Sequence, residues 1–140
     1  MPSRPWWVSN PGHGNLAHLQ PRLYSYAACG TCRKALAWLK QQGISVELID
    51  ITTTPPSRAE LGDALRQLGG RSRLFNTSGQ SYRALGAERV RAMDDGAALD
   101  ALASDGRLIK RPFLIAPDGQ ITTGFRQEEW ADLLLAGPRD

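Results

Sequence analysis

The residues of this sequence best suited to chemistry are its two cysteines, Cys29 and Cys32, which are separated by Gly30 and Thr31. Two thiols at this spacing can close a small disulfide, and the thiolate is the form that attacks a disulfide or binds a metal. A cysteine with the free pKa of about 8.5 is only about 3% thiolate at pH 7, whereas a pKa of about 6 makes it about 90% thiolate. The reactivity of the pair therefore depends on what surrounds each sulfur.

The pair lies between a strand-like run at 23–26 and a segment whose apolar residues have helical spacing. Cys29 would then begin a helix, where unpaired backbone N–H groups carry about half a positive charge and favour the thiolate. Arg33 and Lys34 oppose the helix dipole but add to the positive field at the sulfur. Cys32, on the apolar face, should be more buried and less acidic. The pattern predicts a redox-active disulfide in which Cys29 attacks and Cys32 resolves.

Two other interpretations of the cysteines stay open. One or both can be small buried core residues without a chemical role. His13 and His18, the only histidines, precede the pair, so a tetrahedral zinc site with two histidines and two cysteines can be drawn. Because both histidines lie in a stretch rich in glycine and proline, we interpret them as solvated side chains and predict no bound metal.

The elements that would position the pair follow from apolar periodicity and from turn residues. Gly43 is suited to end the first helix, and an alternating, then fully apolar run predicts a buried strand. Ser57 and Glu60 form a capping-box pattern that begins a second helix, which Gly69 ends. The predicted elements are a strand at 23–26, a helix at 31–42, a strand at 44–51, a helix from 57, short helices around Leu85 and Val90, a helix at 97–103, strands at 113–116 and 121–123, and a helix at 127–135.

The predicted order is β-α-β, then helices, then β-β-α. The first half needs a parallel pair with a right-handed crossover, and the second half needs an antiparallel hairpin joined to it. An α/β fold satisfies both: a thioredoxin-like, four-stranded mixed sheet flanked by helices, with a helical insertion between the βαβ and ββα halves.

Length and composition place limits on the organisation of the chain. Its 140 residues, 41% of them hydrophobic, suit one domain with a real core. Prolines and glycines interrupt residues 1–21, so we expect a disordered N-terminal tail and a domain at 22–136. We see neither a signal peptide nor a membrane span, and two cysteines cannot form a disulfide framework, so we expect a cytoplasmic monomer.

The net charge of +3 is a mild surplus that comes mainly from arginine. Such a balance does not indicate direct DNA binding. Five arginines fall between residues 71 and 91, where they could meet an acidic partner or form an ordinary solvated face. They are Arg71, Arg73, Arg83, Arg89 and Arg91.

Four segments make the chain resemble the glutaredoxin-type arsenate reductases and the Spx regulators. They are residues 24–39 (YSYAACGTCRKALAWL), 55–61 (PPSRAEL), 74–79 (LFNTSG) and 108–115 (LIKRPFLI), and Gly124-Phe125 ends the match. The resemblance implies the thioredoxin-like fold and a reactive cysteine at Cys29. It also implies a cis Arg111–Pro112 bond beside the cysteine, where the arginine would support the thiolate and a bound anion. Glutathione or thioredoxin would be the reductant.

Departures from the arsenate reductases decide between activities. Those enzymes have serine where this chain has Cys32, and they gather three arginines, of which only Arg111 has a match here. Asn76 stands where the second would be, and Phe125 roughly where the third would be, with Arg126 one place away. The sequence therefore favours reduction of an oxidised thiol, such as a disulfide or a glutathione adduct, over arsenate. The alternative is an Spx-like redox-sensing regulator that binds the C-terminal domain of the RNA polymerase α subunit, with the arginine-rich insertion as a candidate partner surface.

Overall fold

The computed structural model describes residues 20–135, which fold into four strands and six α-helices. Most of the predicted tail, including His13 and His18, lies outside the described residues. The elements are β1 (Arg22–Ser25), α1 (Gly30–Gln41), β2 (Glu47–Asp50), α2 (Arg58–Leu68), α3 (Gln80–Leu85), α4 (Ala87–Ala92), α5 (Asp95–Ser104), β3 (Phe113–Ile115), β4 (Ile121–Thr123) and α6 (Gln127–Leu135), with 3₁₀ turns at Arg71–Arg73 and Gly106–Leu108.

The four strands form one mixed sheet in the order β2-β1-β3-β4. β1 runs parallel to β2 and antiparallel to β3, and β3 pairs with β4 as a hairpin. The helices between the two halves are α2, α3, α4 and α5. The predicted fold class and element order are therefore confirmed.

Helices cover both faces of the sheet because side chains alternate along each strand. Leu23 of β1 and Leu114 of β3 pack with α1 and with Trp130 of α6 on one face. Tyr24 and Phe113, the residues adjacent to these in each strand, pack on the other face with buried residues of α2 and α5. The cysteine pair thus lies at the start of α1, a helix that packs against the sheet along its length.

β2 corrects one prediction. The run at 44–51 predicted a buried strand, but the strand covers Glu47–Asp50 and lies at the edge of the sheet, with Leu48 55% exposed. Ile51, which follows it, is fully buried. An apolar run shows that a strand can be buried, yet its position in the sheet depends on which strands pair with it.

Polar contacts join β1 to α2. The Ser57 hydroxyl accepts from the backbone N–H of Glu60, and the Glu60 carboxylate accepts from the backbone N–H of Ser57, as the capping box predicts. The same carboxylate accepts from Arg22 Nη1 at 2.5 Å and from the Tyr24 hydroxyl at 2.9 Å. The half-buried Glu60 carboxylate thus accepts hydrogen bonds from β1 and from the start of α2, which fixes how these two elements pack together.

Gly106 lets the 3₁₀ turn before β3 approach the end of β2. A Cβ at Gly106 would lie 1.7 Å from the carbonyl oxygen of Ile51, so a side chain fits only if the backbone moves. The backbone N–H of Ile51 in turn donates to the carbonyl of Ser25 at 2.9 Å. The residue that follows Gly106 is therefore held near the end of β1, where the cysteine motif begins.

Candidate active site

Cys29 is the N-cap residue of α1, with extended backbone angles of φ −87° and ψ 124°. Its N–H donates to the carbonyl of Tyr26, and its carbonyl accepts from the N–H of Arg33, both at 3.0 Å. The sulfur therefore lies at the N-terminal end of a 12-residue helix. No side chain accepts a hydrogen bond from the first backbone N–H groups of this helix. The side chain is partly exposed, which leaves it accessible to a second sulfur.

The pKa of Cys29 lies below its ordinary value. Burial works against the thiolate, but the backbone N–H and the thiol of Cys32, the backbone N–H of Thr31 and the guanidinium of Arg111 together lower the pKa. These donors stabilise negative charge on the sulfur. The Arg33 guanidinium donates to the carbonyl of Ala27 at 3.0 Å.

Cys32 lies one turn inside α1 and is fully buried. Its sulfur accepts from the backbone N–H of Tyr26 at 3.4 Å. Burial raises the pKa of the Cys32 thiol, and the neighbouring Cys29 raises it further. Both cysteines are free thiols. The two sulfurs thus differ in the direction that the sequence predicts, with Cys29 the more acidic and more accessible.

Arg111 and Pro112 come directly before β3. The peptide bond between them is cis, as the resemblance implies, and Pro112 is buried. The guanidinium of Arg111 lies over the ring of Tyr26, and its Nη1 donates to the carbonyl of Arg107 at 3.4 Å. A cation is thereby held next to the loop that carries Cys29.

Asn76 and Phe125, the two positions at which arginines of the arsenate reductase pattern have no match, lie in different surroundings. Asn76 lines a cavity with Tyr26, Arg107 and Arg111. Phe125 packs its ring against Trp130 at 5.0 Å and against Trp38 at 6.0 Å between centroids. Phe125 is therefore part of the aromatic packing between α1 and α6.

Arg126, the residue after Phe125, pairs with Glu129 at 3.6 Å and lines a separate cavity with Arg73. Sequence reasoning missed Arg107, which lines the same cavity as Tyr26 and Arg111. Its spacing of four residues from Arg111 is the one signal that could have found it.

The five arginines of the insertion differ in their contacts. Arg71 pairs with Asp95 at 3.7 Å, Arg73 donates to the Thr122 hydroxyl at 3.0 Å, and Arg83 donates to the carbonyl of Ser78 at 2.7 Å. Three of the five thus serve internal contacts, while Arg89 and Arg91 are exposed.

Neither a metal centre nor a membrane span is found between residues 20 and 135. No three histidine, cysteine or acidic side chains come together there in a way that could hold a metal ion. The helices of this part of the chain are too short or too polar to cross a membrane.

The fold defines the class of protein: a sheet in the order β2-β1-β3-β4 with helices on both faces is thioredoxin-like, and the two thiols lie at its first strand-to-helix junction. The chain belongs to the ArsC family, whose model matches residues 24–133.

Similar proteins agree with this placement. The chain is 42% identical over 113 residues to the uncharacterized protein YusI of Bacillus subtilis (strain 168), covering 78% of this chain and 93% of YusI. It is 35% identical over 98 residues to the arsenate reductase of Rhizobium meliloti (strain 1021), covering 69% of each. A crystal structure of a possible arsenate reductase from Streptococcus mutans UA159 superposes with a TM-score of 0.73 at 37% identity, covering 79% of this chain and 97% of that one.

Proposed function

We propose that this protein is a thiol–disulfide oxidoreductase in which Cys29 is the nucleophile and Cys32 the resolving thiol. The observation that carries the proposal is the contrast between the two sulfurs: donors lower the pKa of Cys29, while burial raises that of Cys32. An accessible thiolate beside a buried, protonated thiol suits attack followed by resolution. Arg111, the residue before the cis proline, supports the thiolate with a hydrogen bond from its guanidinium.

The reaction balances as two exchanges. The Cys29 thiolate attacks one sulfur of an oxidised substrate RS–SR′, forming a Cys29–SR mixed disulfide and releasing R′S⁻, which takes up a proton from solvent. Cys32 then loses its proton and attacks the Cys29 sulfur, releasing RS⁻ and leaving a Cys29–Cys32 disulfide. The substrate gains two electrons, and an external thiol reductant, glutathione or thioredoxin, returns two electrons to the pair.

We place oxidised thiols ahead of arsenate as the substrate. Some similar proteins are arsenate reductases, and three arginines hold the oxyanion in the pattern that the sequence resembles. The resemblance places Asn76 at the second of those positions and Phe125 roughly at the third. The Phe125 ring is packed between Trp38 and Trp130. Phe125 supplies no hydrogen-bond donor to an oxyanion.

The test is to trap the mixed disulfide. A Cys32→Ser variant exposed to oxidised glutathione should accumulate one glutathione adduct on Cys29, read by intact mass and peptide mapping, because the resolving thiol is absent. The wild type should form the internal disulfide instead, and Cys29→Ser should form no stable adduct. Failure of the Cys32→Ser variant to hold an adduct would reject the two-thiol mechanism.

The same disulfide could serve an Spx-like regulator, which also needs both thiols. That alternative predicts binding to purified C-terminal domain of the RNA polymerase α subunit that changes between the reduced and oxidised forms of this protein. A pull-down in both states separates the two functions. Binding in neither state, together with turnover of a disulfide, supports the enzyme.

A further inference from the structure

A cavity of about 490 Å³ is lined by Tyr26, three residues before Cys29, and by Arg111, whose guanidinium supports the Cys29 thiolate. Two of the side chains that line it are guanidiniums, and none of the lining residues is acidic. Its polar and aromatic lining comes from Tyr26, Asn76, Gln80, Ser81, Arg107 and Arg111. The volume is within the range of small-molecule sites and far larger than an inorganic oxyanion needs. The cavity thus has the size and charge for an anionic organic group.

Arg107 supplies the second cation of this cavity. Its backbone is fixed on both sides, because its N–H donates to the Asp105 carboxylate at 3.0 Å and its carbonyl accepts from Arg111. Gly106, the residue before it, is held by close contact with the carbonyl of Ile51. The backbone from which the guanidinium extends is therefore held by the fold at the end of β2.

Two carboxylates lie close to Arg107: that of Asp105, which accepts the backbone N–H, and that of Asp50. Hydrogen bonds from Thr52 hold the pKa of Asp50 below its usual range, and the charge of Arg107 contributes to the same shift. The Oδ1 atom of Asp50 already accepts from the Thr52 N–H and hydroxyl, and no ion pair within 4.0 Å joins Asp50 to Arg107 in the described structure. The guanidinium thus keeps donors for an incoming anion.

Asn76 completes the cavity as a neutral donor. The Ser78 hydroxyl donates to Asn76 Oδ1 at 3.2 Å, which orients the amide and leaves its Nδ2 hydrogens as donors. Gly79 makes room for that orientation, since a Cβ there would lie 2.7 Å from Nδ2. An amide so oriented suits a carboxylate oxygen.

We propose that this cavity binds a carboxylate carried by the thiol substrate, so that Arg107 and Asn76 give the enzyme its preference for small carboxylated disulfides over neutral ones. The turnover part of this inference rests on the proposed function, whereas the binding of carboxylate does not. Charge-assisted hydrogen bonds from guanidinium to carboxylate supply the preference. Their exposure to solvent limits the effect to about three- to tenfold.

The first experiment needs no turnover. Iodoacetate and iodoacetamide alkylate the same Cys29 thiolate, but only iodoacetate carries a carboxylate, so the ratio of their rates cancels any change in the pKa of Cys29. In a Cys32→Ser background, Arg107→Gln should lower the iodoacetate-to-iodoacetamide ratio by about three- to tenfold. Asn76→Ala should lower it less. Arg91→Gln removes the same charge from an exposed position outside the cavity and should leave the ratio unchanged.

Protection of Cys29 from iodoacetamide identifies the anion. S-methylglutathione carries carboxylates but cannot react with the thiol. It should protect Cys29 from alkylation when Arg107 is intact, and several-fold less in Arg107→Gln. Sodium arsenate should protect weakly. An unchanged rate ratio in Arg107→Gln, or protection by arsenate in preference to S-methylglutathione, would overturn the inference.

Turnover separates this inference from the proposed function. Arg107→Gln should raise the KM for oxidised glutathione about three- to tenfold while leaving that for the neutral bis(2-hydroxyethyl) disulfide unchanged. If neither disulfide is reduced although the alkylation ratio falls, the carboxylate site stands and the proposed function fails. If both are reduced with unchanged KM values, the function stands and the specificity role of Arg107 is refuted.

Discussion

The guanidinium of Arg111 lies over the ring of Tyr26, with its Cζ 5.0 Å from the ring centroid. Tyr26 also supplies the carbonyl that accepts the N–H of Cys29 and the N–H that donates to the Cys32 sulfur. One residue thus connects the cation to both thiols, through its ring and through its backbone.

Removing the Tyr26 ring should weaken the support of the thiolate. In Tyr26→Leu the guanidinium loses a cation–π contact of about 0.5–1 kcal/mol, so Arg111 spends less time near Cys29 and the pKa of Cys29 rises. The pH midpoint of iodoacetamide alkylation should move upward. Tyr26→Phe keeps the aromatic face and should retain the wild-type midpoint. A Tyr26→Leu midpoint equal to that of the wild type would show that the ring does not position Arg111.

The Cys32 thiol should lower the pKa of Cys29 even before any disulfide forms. Burial opposes the Cys29 thiolate, and the donors of Cys32 are among the groups that overcome it. Cys32→Ala loses the side-chain donor, so the pKa of Cys29 should rise and alkylation at pH 6 should slow. Cys32→Ser keeps a donor and should lie between the two. Absorbance of the thiolate at 240 nm against pH measures the shift; a lower pKa in Cys32→Ala would contradict the assignment.

Gly106 should tolerate no side chain. Because a Cβ there would lie 1.7 Å from the Ile51 carbonyl oxygen, Gly106→Ala must displace backbone, and we expect the free energy of unfolding to fall by about 1–3 kcal/mol or more. Gly62→Ala is the matched control, since its Cβ has 3.9 Å of clearance within α2 and alanine favours a helix by about 0.5–1 kcal/mol. Urea unfolding should show opposite signs for the two variants, and equal effects would reject the close-approach argument.

The Glu60 carboxylate should make the free energy of unfolding depend on pH in the acidic range. Burial alone would raise its pKa, but the Ser57 N–H, the Tyr24 hydroxyl and the charge of Arg22 lower it overall. A depressed carboxyl pKa stabilises the fold above the unfolded value of about 4.3, and the contribution disappears as pH falls through the folded pKa.

Glu60→Gln therefore should cost about 1–2 kcal/mol at pH 6, after allowance for the solvent screening of a partly exposed pair. The difference from wild type should shrink below about pH 4.3. Urea unfolding at pH 3, 4, 5 and 6 measures it. Glu88→Gln, a change of the same kind at an exposed position in α4, should show no such pH dependence. A gap that stays constant with pH would assign the stabilisation to packing.

Most of the fold could be predicted because its signals are local. The capping box of Ser57 and Glu60 and the left-handed Gly69 at the end of α2 each involve residues within one turn of a helix. Helical and strand periodicities likewise need only neighbours in sequence. The position of Cys29 at the start of α1 follows from the same local signals.

The sequence by itself thus determined the element order, the mixed sheet and the place of the two thiols. The tertiary structure alone decided that β2 lies exposed at an edge, that Phe125 is enclosed by Trp38 and Trp130, and that Asn76 joins Arg107 in one cavity. The physical reason is the separation of the contacts. Asn76 and Arg107 are far apart along the chain, and only the packing of the insertion against the end of the sheet brings them together.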